Sequence, residues 1–227
     1  MSAVSPSRDE ASVLLLETPT GQARAHVYAA SGTPRGRAAL GHGAGPSITT
    51  VDLIAARKTL CDNGFSVAVI EQPWMVAGRK VAVRPPLLDQ AWIPVLHQLE
   101  VGIWADVAGP LLVAGRSAGA RVACRTATAV GASAVLALSF PLHPPGKPEA
   151  SRGEELITPV RAGIPVAVVQ GESDPFGTPA EVTAYLDSVG LEGNPRVYAV
   201  PGTHTIPARA AAIYTGAVTS ALGVLLA

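Results

Sequence analysis

The pattern of apolar runs in this 227-residue chain predicts an α/β fold: one domain over residues 1–227, with a mostly parallel twisted sheet of about seven to eight strands and helices on both faces. Three observations carry that expectation. Short runs rich in Val, Leu and Ala alternate with segments of helical spacing. The later runs are almost continuously apolar, as parallel strands covered on both faces must be. A serine framed by glycines stands at the end of one such run, with a helical stretch directly behind it.

Strands are expected at residues 13–17, 25–29, 37–41, 65–71, 111–115, 134–140, 165–171 and 196–201. The first two, joined by a turn containing Gly21, read as an antiparallel edge. Helices fall between the others. Residues 50–63 carry Val51, Leu53, Ile54 and Leu60 and end at Asn63-Gly64. Residues 87–107 carry Leu88, Trp92, Val95, Leu96 and Leu99, with a kink expected at Pro94. Residues 117–130 are rich in Ala and Val and stop at Gly131, a C′ residue. Residues 178–189 open with Thr178 as N-cap, Pro179 at the first helical position and Glu181 three residues after the cap. Residues 208–226 close the chain. Between the strands at 134–140 and 165–171 lie Pro141, Pro144, Pro145 and Pro148, then Glu149, Glu154 and Glu155. That stretch has room for one short helix near 154–160 and none for a cap domain. Residues 1–10 are polar and expected to be flexible, with no signal-peptide core.

Composition narrows the function classes. Hydrophobic residues make up 48% and charged residues 15%, which excludes a disordered chain. Net charge is zero and no basic run or basic-aromatic face appears, so nucleic acid is not an expected partner. No apolar stretch approaches the roughly 18 residues of a bilayer span, so no membrane is expected. The two cysteines, Cys61 and Cys124, fall in helical segments and form no disulfide framework, which suits a reducing cytoplasm. No Cys/His spacing typical of zinc is present, and neither metal nor cofactor is expected. The oligomeric state stays open.

Residues 115–119 read Gly115-Arg116-Ser117-Ala118-Gly119, a G-x-S-x-G pentapeptide between strand and helix. A serine hydroxyl is a weak nucleophile and must be presented to a base. A sharp strand-to-helix turn does so, and side chains at either flank would clash with it, hence the glycines. The helix behind then aims backbone N–H groups at developing negative charge. Such a serine needs a base and a group to orient the base. Pro201-Gly202-Thr203-His204-Thr205 follows the last strand and leads into the last helix, which places His204 as base. Of the other histidines, His26 reads as part of an edge strand and His97 as part of a surface helix, both structural. Gly171-Glu172-Ser173-Asp174-Pro175 follows the strand at 165–171 at its carboxyl end, where open α/β sheets place their sites. Asp174 is the expected acid and Glu172 its weaker rival. Gly41-His42-Gly43-Ala44-Gly45 forms a glycine-rich loop after the strand at 37–41. The backbone N–H groups of Ala44 and Ala118 would form an oxyanion hole, in which one donor is worth roughly 3–4 kcal/mol of barrier. A phosphate loop is disfavoured, because no Gly-Lys-Ser/Thr follows. Arg116 has two readings: attraction of an acidic substrate, or pairing with a nearby carboxylate.

On these motifs, together with Pro141-Leu142-His143-Pro144-Pro145-Gly146-Lys147-Pro148 and Gln170-Gly171-Glu172-Ser173-Asp174-Pro175-Phe176-Gly177, the chain resembles the α/β-hydrolase superfamily over nearly its whole length. It is most similar to the KANSL3/Tex30-type branch, close to the dienelactone-hydrolase-like proteins. The resemblance implies the α/β-hydrolase fold, with Ser117 as nucleophile, Asp174 as acid and His204 as base. Two function classes follow. One is a serine hydrolase of esters or thioesters of small soluble substrates. The other, implied by branch members that act within larger assemblies, is a non-catalytic binding or scaffold protein. A lyase or transferase on the same three residues is a lesser third. The complete Ser-His-Asp set favours the hydrolase.

Overall fold

Each apolar run becomes a strand of one 8-stranded sheet, with order β1-β2-β4-β3-β5-β6-β7-β8. The computed structural model describes residues 10–191 and 194–227; apart from Glu10, the segment expected to be flexible lies outside them. The strands are β1 (Ser12–Thr18), β2 (Gly21–Tyr28), β3 (Gly36–Gly41), β4 (Phe65–Glu71), β5 (Leu111–Arg116), β6 (Ala134–Leu138), β7 (Val166–Gly171) and β8 (Arg196–Val200). β1 pairs antiparallel with β2, and β2 antiparallel with β4. The remaining neighbours are parallel. β1 alone is therefore the edge at that end. β2 is an inner strand, so His26 does not lie at an edge as expected; its ring meets the Glu71 carboxylate, which Arg24 also binds at 3.2 Å.

The helices are α1 (Val51–Asp62), α2 (Pro73–Val76), α3 (Pro85–Val101), α4 (Ala118–Thr126), α5 (Gly153–Arg161), α6 (Pro179–Ser188) and α7 (Ala211–Leu225), with one turn of 3-10 helix at Ala208–Ala210 before the last. They cover both faces of the sheet. Strand side chains alternate between the faces: Leu111 and Val113 join α3, α4 and α5 in one core through Trp92, Leu96, Val122 and Leu156. Leu112 and Ala114 join α1 and α7 in the other through Leu53, Leu60, Tyr214 and Val218. Cys61 and Cys124 form no disulfide and are buried in α1 and α4.

Helix ends deviate from expectation for local reasons. α3 begins earlier than the periodicity suggests. Pro85 takes a first-turn position, where a missing N–H costs nothing. It ends at Gly102 rather than near 107, and Pro94 sits inside it without ending it. Trp104 beyond it is buried and donates its indole N–H to Ser66 Oγ at 2.9 Å. α4 stops at Thr126 and the chain turns through residues 127–130, with Gly131 in the left-handed region at φ 66°. α6 carries the expected capping box: Thr178 Oγ1 accepts from Glu181 N–H, and Glu181 accepts from Thr178 N–H at 2.7 Å. One expectation needs correction. Ala208–Leu225 is 18 residues long with mean hydropathy 1.2, the length and polarity of a bilayer span. Its Tyr214, Val218, Ala221, Leu222 and Leu225 pack into the core, whereas Ile213 and Val224 on the same helix are exposed.

The sheet order sets where a site can form. From β3 the chain moves outward to β4, then returns past β3 to β5 on the other side. That reversal opens a crevice at the carboxyl ends of β3 and β5. Among the described residues no cap domain covers it: the connection from β6 to β7 holds a proline-rich loop and α5.

Candidate active site

The crevice is occupied by the serine turn. Ser117 links the end of β5 to the start of α4 with φ 54° and ψ −111°, a conformation costing roughly 1–3 kcal/mol for a non-glycine residue. Its N–H donates to Leu138 O at 2.9 Å, fixing the turn against β6. The flanking glycines are steric necessities. A Cβ on Gly115 would stand 2.4 Å from the Gly119 carbonyl carbon, and one on Gly119 would stand 2.5 Å from Gly41 O. The helix therefore packs directly on the ends of β5 and β3, and Ser117 is lifted to the surface of the crevice.

Three of the residues singled out from sequence meet there in a row. His204 Nε2 lies 2.8 Å from Ser117 Oγ. His204 Nδ1 lies 2.9 Å from Asp174 Oδ2 and 3.1 Å from Oδ1. A carboxylate only accepts, so Nδ1 carries the proton and Nε2 presents its lone pair to the serine hydroxyl. The row can take the Ser117 proton as Oγ attacks an electrophile, the Asp174 charge stabilising the imidazolium that results. Asp174 is 1% exposed and is the carboxylate bonded to the ring, whereas Glu172 is exposed. Asp174 is held by two further donors: Gln170 Nε2 reaches Oδ2 at 3.0 Å and the Phe176 N–H reaches Oδ1 at 2.9 Å. The Phe176 ring lies 4.2 Å from the His204 ring, centre to centre, and limits its swing.

The loop after β3 borders the serine from the other side. Gly43 is buried against it: a Cβ there would be 3.6 Å from Ser117 Cβ. Ala44 follows, exposed, and the Ala118 N–H opens α4, where an amide has no partner within the helix. His42 anchors the loop. Its Nδ1–H donates to Gly43 O at 2.7 Å and its Nε2 accepts from Gln72 N–H at 3.1 Å. Those two bonds need a neutral ring, and burial likewise pushes the His42 pKa below its ordinary value.

Arg116 pairs with a carboxylate. Its Nε donates to Asp52 Oδ2 at 2.6 Å and its Nη2 to the carbonyl of His204 at 2.7 Å. The reading in which it waits for an acidic substrate is not the one adopted by its side chain. Sequence reasoning assigns no role to Asp52, nor to Gln170 and Phe176, although these last two lie in the motif around Asp174. Gln170 did carry a signal: an amide in an otherwise apolar strand, 0% exposed, asks for partners. His97 is exposed on α3, as expected.

The α/β sheet thus carries a serine, a histidine and a buried carboxylate in hydrogen-bonded sequence at its carboxyl edge, the arrangement of a serine triad. The family follows from the sequence itself. A family model described as an alpha/beta hydrolase domain matches residues 34–207, most of the chain, and the protein belongs to that family. No curated protein gives a significant sequence match. Solved structures show the same fold. A lidless α/β serine hydrolase from Xanthomonas campestris superposes with TM-score 0.74 at 18% identity, covering 98% of this chain and 97% of that one. An alpha-beta serine hydrolase homologue from Coxiella burnetii gives 0.74 at 15% identity, covering 96% and 99%. Esterase 2 of Thermogutta terrifontis gives 0.66 at 12% identity, covering 97% and 96%.

Proposed function

We propose that this protein is a serine hydrolase that cleaves a carboxylic ester or thioester of a small soluble substrate through an acyl-enzyme on Ser117. The observation that carries the proposal is the unbroken row from Ser117 Oγ through both His204 nitrogens to the buried Asp174 carboxylate. In the first half-reaction Oγ attacks the carbonyl carbon while Nε2 takes its proton. The oxyanion is met by the backbone N–H groups of Ala44 and Ala118. Nε2–H then protonates the leaving alcohol or thiol. In the second half a water repeats the sequence and frees the acid. Asp174 keeps the proton on Nδ1 throughout, so that Nε2 alone accepts and returns the transferred proton. The similarity to serine hydrolases and an esterase supports this chemistry, and the Pro-rich segment 141–148 supports a place in the KANSL3/Tex30-type branch.

The test is reaction with a fluorophosphonate probe followed by mass spectrometry. The expected result is one label on the peptide holding Ser117, with the adduct oxygen about 2.7–3.1 Å from Ala44 N and Ala118 N in its structure. A protein that does not label is the scaffold, not the hydrolase.

Acyl size supports the small-substrate reading. Beside Gly43 and Ala118 the crevice narrows to a cavity walled by Trp74, Leu88, Trp92 and Val122, with free space of about one water molecule. Nitrophenyl acetate and propionate should therefore be turned over at least about tenfold faster than the octanoate, since the cavity beside the serine turn has no room for a long chain. No jump in rate should appear across the micelle threshold, because no lid needs displacing. A sharp rise above that threshold, with long chains preferred, refutes this.

A further inference from the structure

The row of side chains is drawn from distant parts of the sheet. Ser117 follows β5, whereas His204 follows β8, the opposite edge strand from β1, with β6 and β7 lying between. The His204 loop must therefore reach back across two strands. No strand pairing sets its distance from the serine.

Arg116, next to the nucleophile, bridges that gap. Its guanidinium meets three segments at once. Nε donates to Asp52 on the first turn of α1, and Nη2 donates to the backbone carbonyl of His204 itself. Nη1 lies against Gly43, so near that a Cβ there would be 2.7 Å from it. The side chains of Arg116 and Asp52 are only 13% and 2% exposed. A hidden ion pair seldom adds net stability over apolar residues of the same volume, so packing alone does not call for one here. A planar, forked donor set adds direction instead, fixing two acceptors relative to each other.

We infer that Arg116, oriented by Asp52, is the positioning residue that sets the His204 imidazole at hydrogen-bond distance from Ser117 Oγ and holds the Gly43-Ala44 segment to the same frame. Its guanidinium is bonded to Asp52 and to the His204 carbonyl, and acts on the reacting atoms through them; this role rests on the hydrolase reading above. Loss of such placement reaches the rate without reaching substrate affinity, because the barrier is sensitive to displacements of an ångström or less.

Arg116→Lys is the discriminating variant. An ammonium keeps the charge beside Asp52 and cannot fork to the His204 carbonyl in the same geometry. With nitrophenyl acetate, kcat is expected to fall about 10- to 100-fold, with KM within about twofold and Tm within about 3 °C of the parent. The rate of fluorophosphonate labelling at Ser117 should fall by the same factor, since it reads activation of the nucleophile without turnover. Unchanged kcat and labelling rate overturn the inference, as does a lowered Tm with kcat per labelled serine intact. Should Arg116→Lys fail to fold, Asp52→Asn is read out in the same way. It keeps the volume but weakens the anchor, and the same fall in kcat at constant KM supports the inference while parental values overturn it. Failure of the hydrolase reading is seen separately, in a parent protein that neither labels nor turns over.

Discussion

Ser117→Ala is expected to lower kcat for nitrophenyl acetate by about 10⁴-fold or more while leaving Tm within about 2 °C. The two halves of that outcome have separate causes. In the proposed reaction the Oγ atom forms the covalent bond, and among the described residues its hydrogen-bond partner is His204 Nε2. Alanine keeps the Cβ and so keeps the same backbone at φ 54°, neither relieving nor adding strain. What remains is the contribution of the oxyanion donors and of binding, about 10³- to 10⁴-fold over water in enzymes of this type. Ser117→Gly separates strain from chemistry. It should lose activity equally but gain about 1 kcal/mol of stability, because glycine enters the left-handed region without a Cβ penalty. Steady-state rates and thermal unfolding of both variants check this. Alanine retaining parental activity would move the nucleophile elsewhere.

The strands were legible because a parallel strand is covered on both faces and its sequence shows it. β4 and β7 read as near-continuous apolar runs, and both appear where expected. Ser117, Asp174 and His204 were legible for a related reason: each follows such a run at its carboxyl end, and the turn residues around it are glycine and proline. Less legible was whatever depends on contact between segments far apart in sequence. Asp52 reads as an ordinary first-turn helix acid, favourable to the helix dipole. Only the three-dimensional structure brings it to Arg116, 64 residues later. Phe176 reads as a loop aromatic until its ring is seen beside His204. α2 is one turn long, too short for a period to show. The ends of α3 and α4 moved because apolar spacing continues into the following turns, where Trp104, Ala127 and Val130 are buried without being helical.

Asp174→Asn should cost nearly as much as loss of the serine, about 10⁴-fold in kcat, through the histidine rather than through the bond it makes. Every neighbour of the Asp174 carboxylate is a donor. Oδ1 accepts from the Phe176 N–H and Oδ2 from Gln170 Nε2, and both oxygens face His204 Nδ1. An asparagine must point its amide NH₂ at one of these donors. If the NH₂ takes the Oδ1 place, it opposes the Phe176 N–H; if it takes the Oδ2 place, it opposes the Gln170 amide. In either orientation it sits within reach of Nδ1. The imidazole can relieve the contact by giving up the Nδ1 proton and carrying it on Nε2. In that tautomer Nε2 can no longer accept from Ser117, and the base is lost although every heavy atom stays in place. The buried site adds a stability cost of about 1–3 kcal/mol, since a donor is left without an acceptor. A crystal structure of the variant, read with its rate, checks the reasoning. Unaltered positions with a collapse in kcat fit it, and so does slowed labelling by the fluorophosphonate probe. An asparagine variant with close to parental kcat would mean that Asp174 merely fills space, and that another group fixes the tautomer of His204.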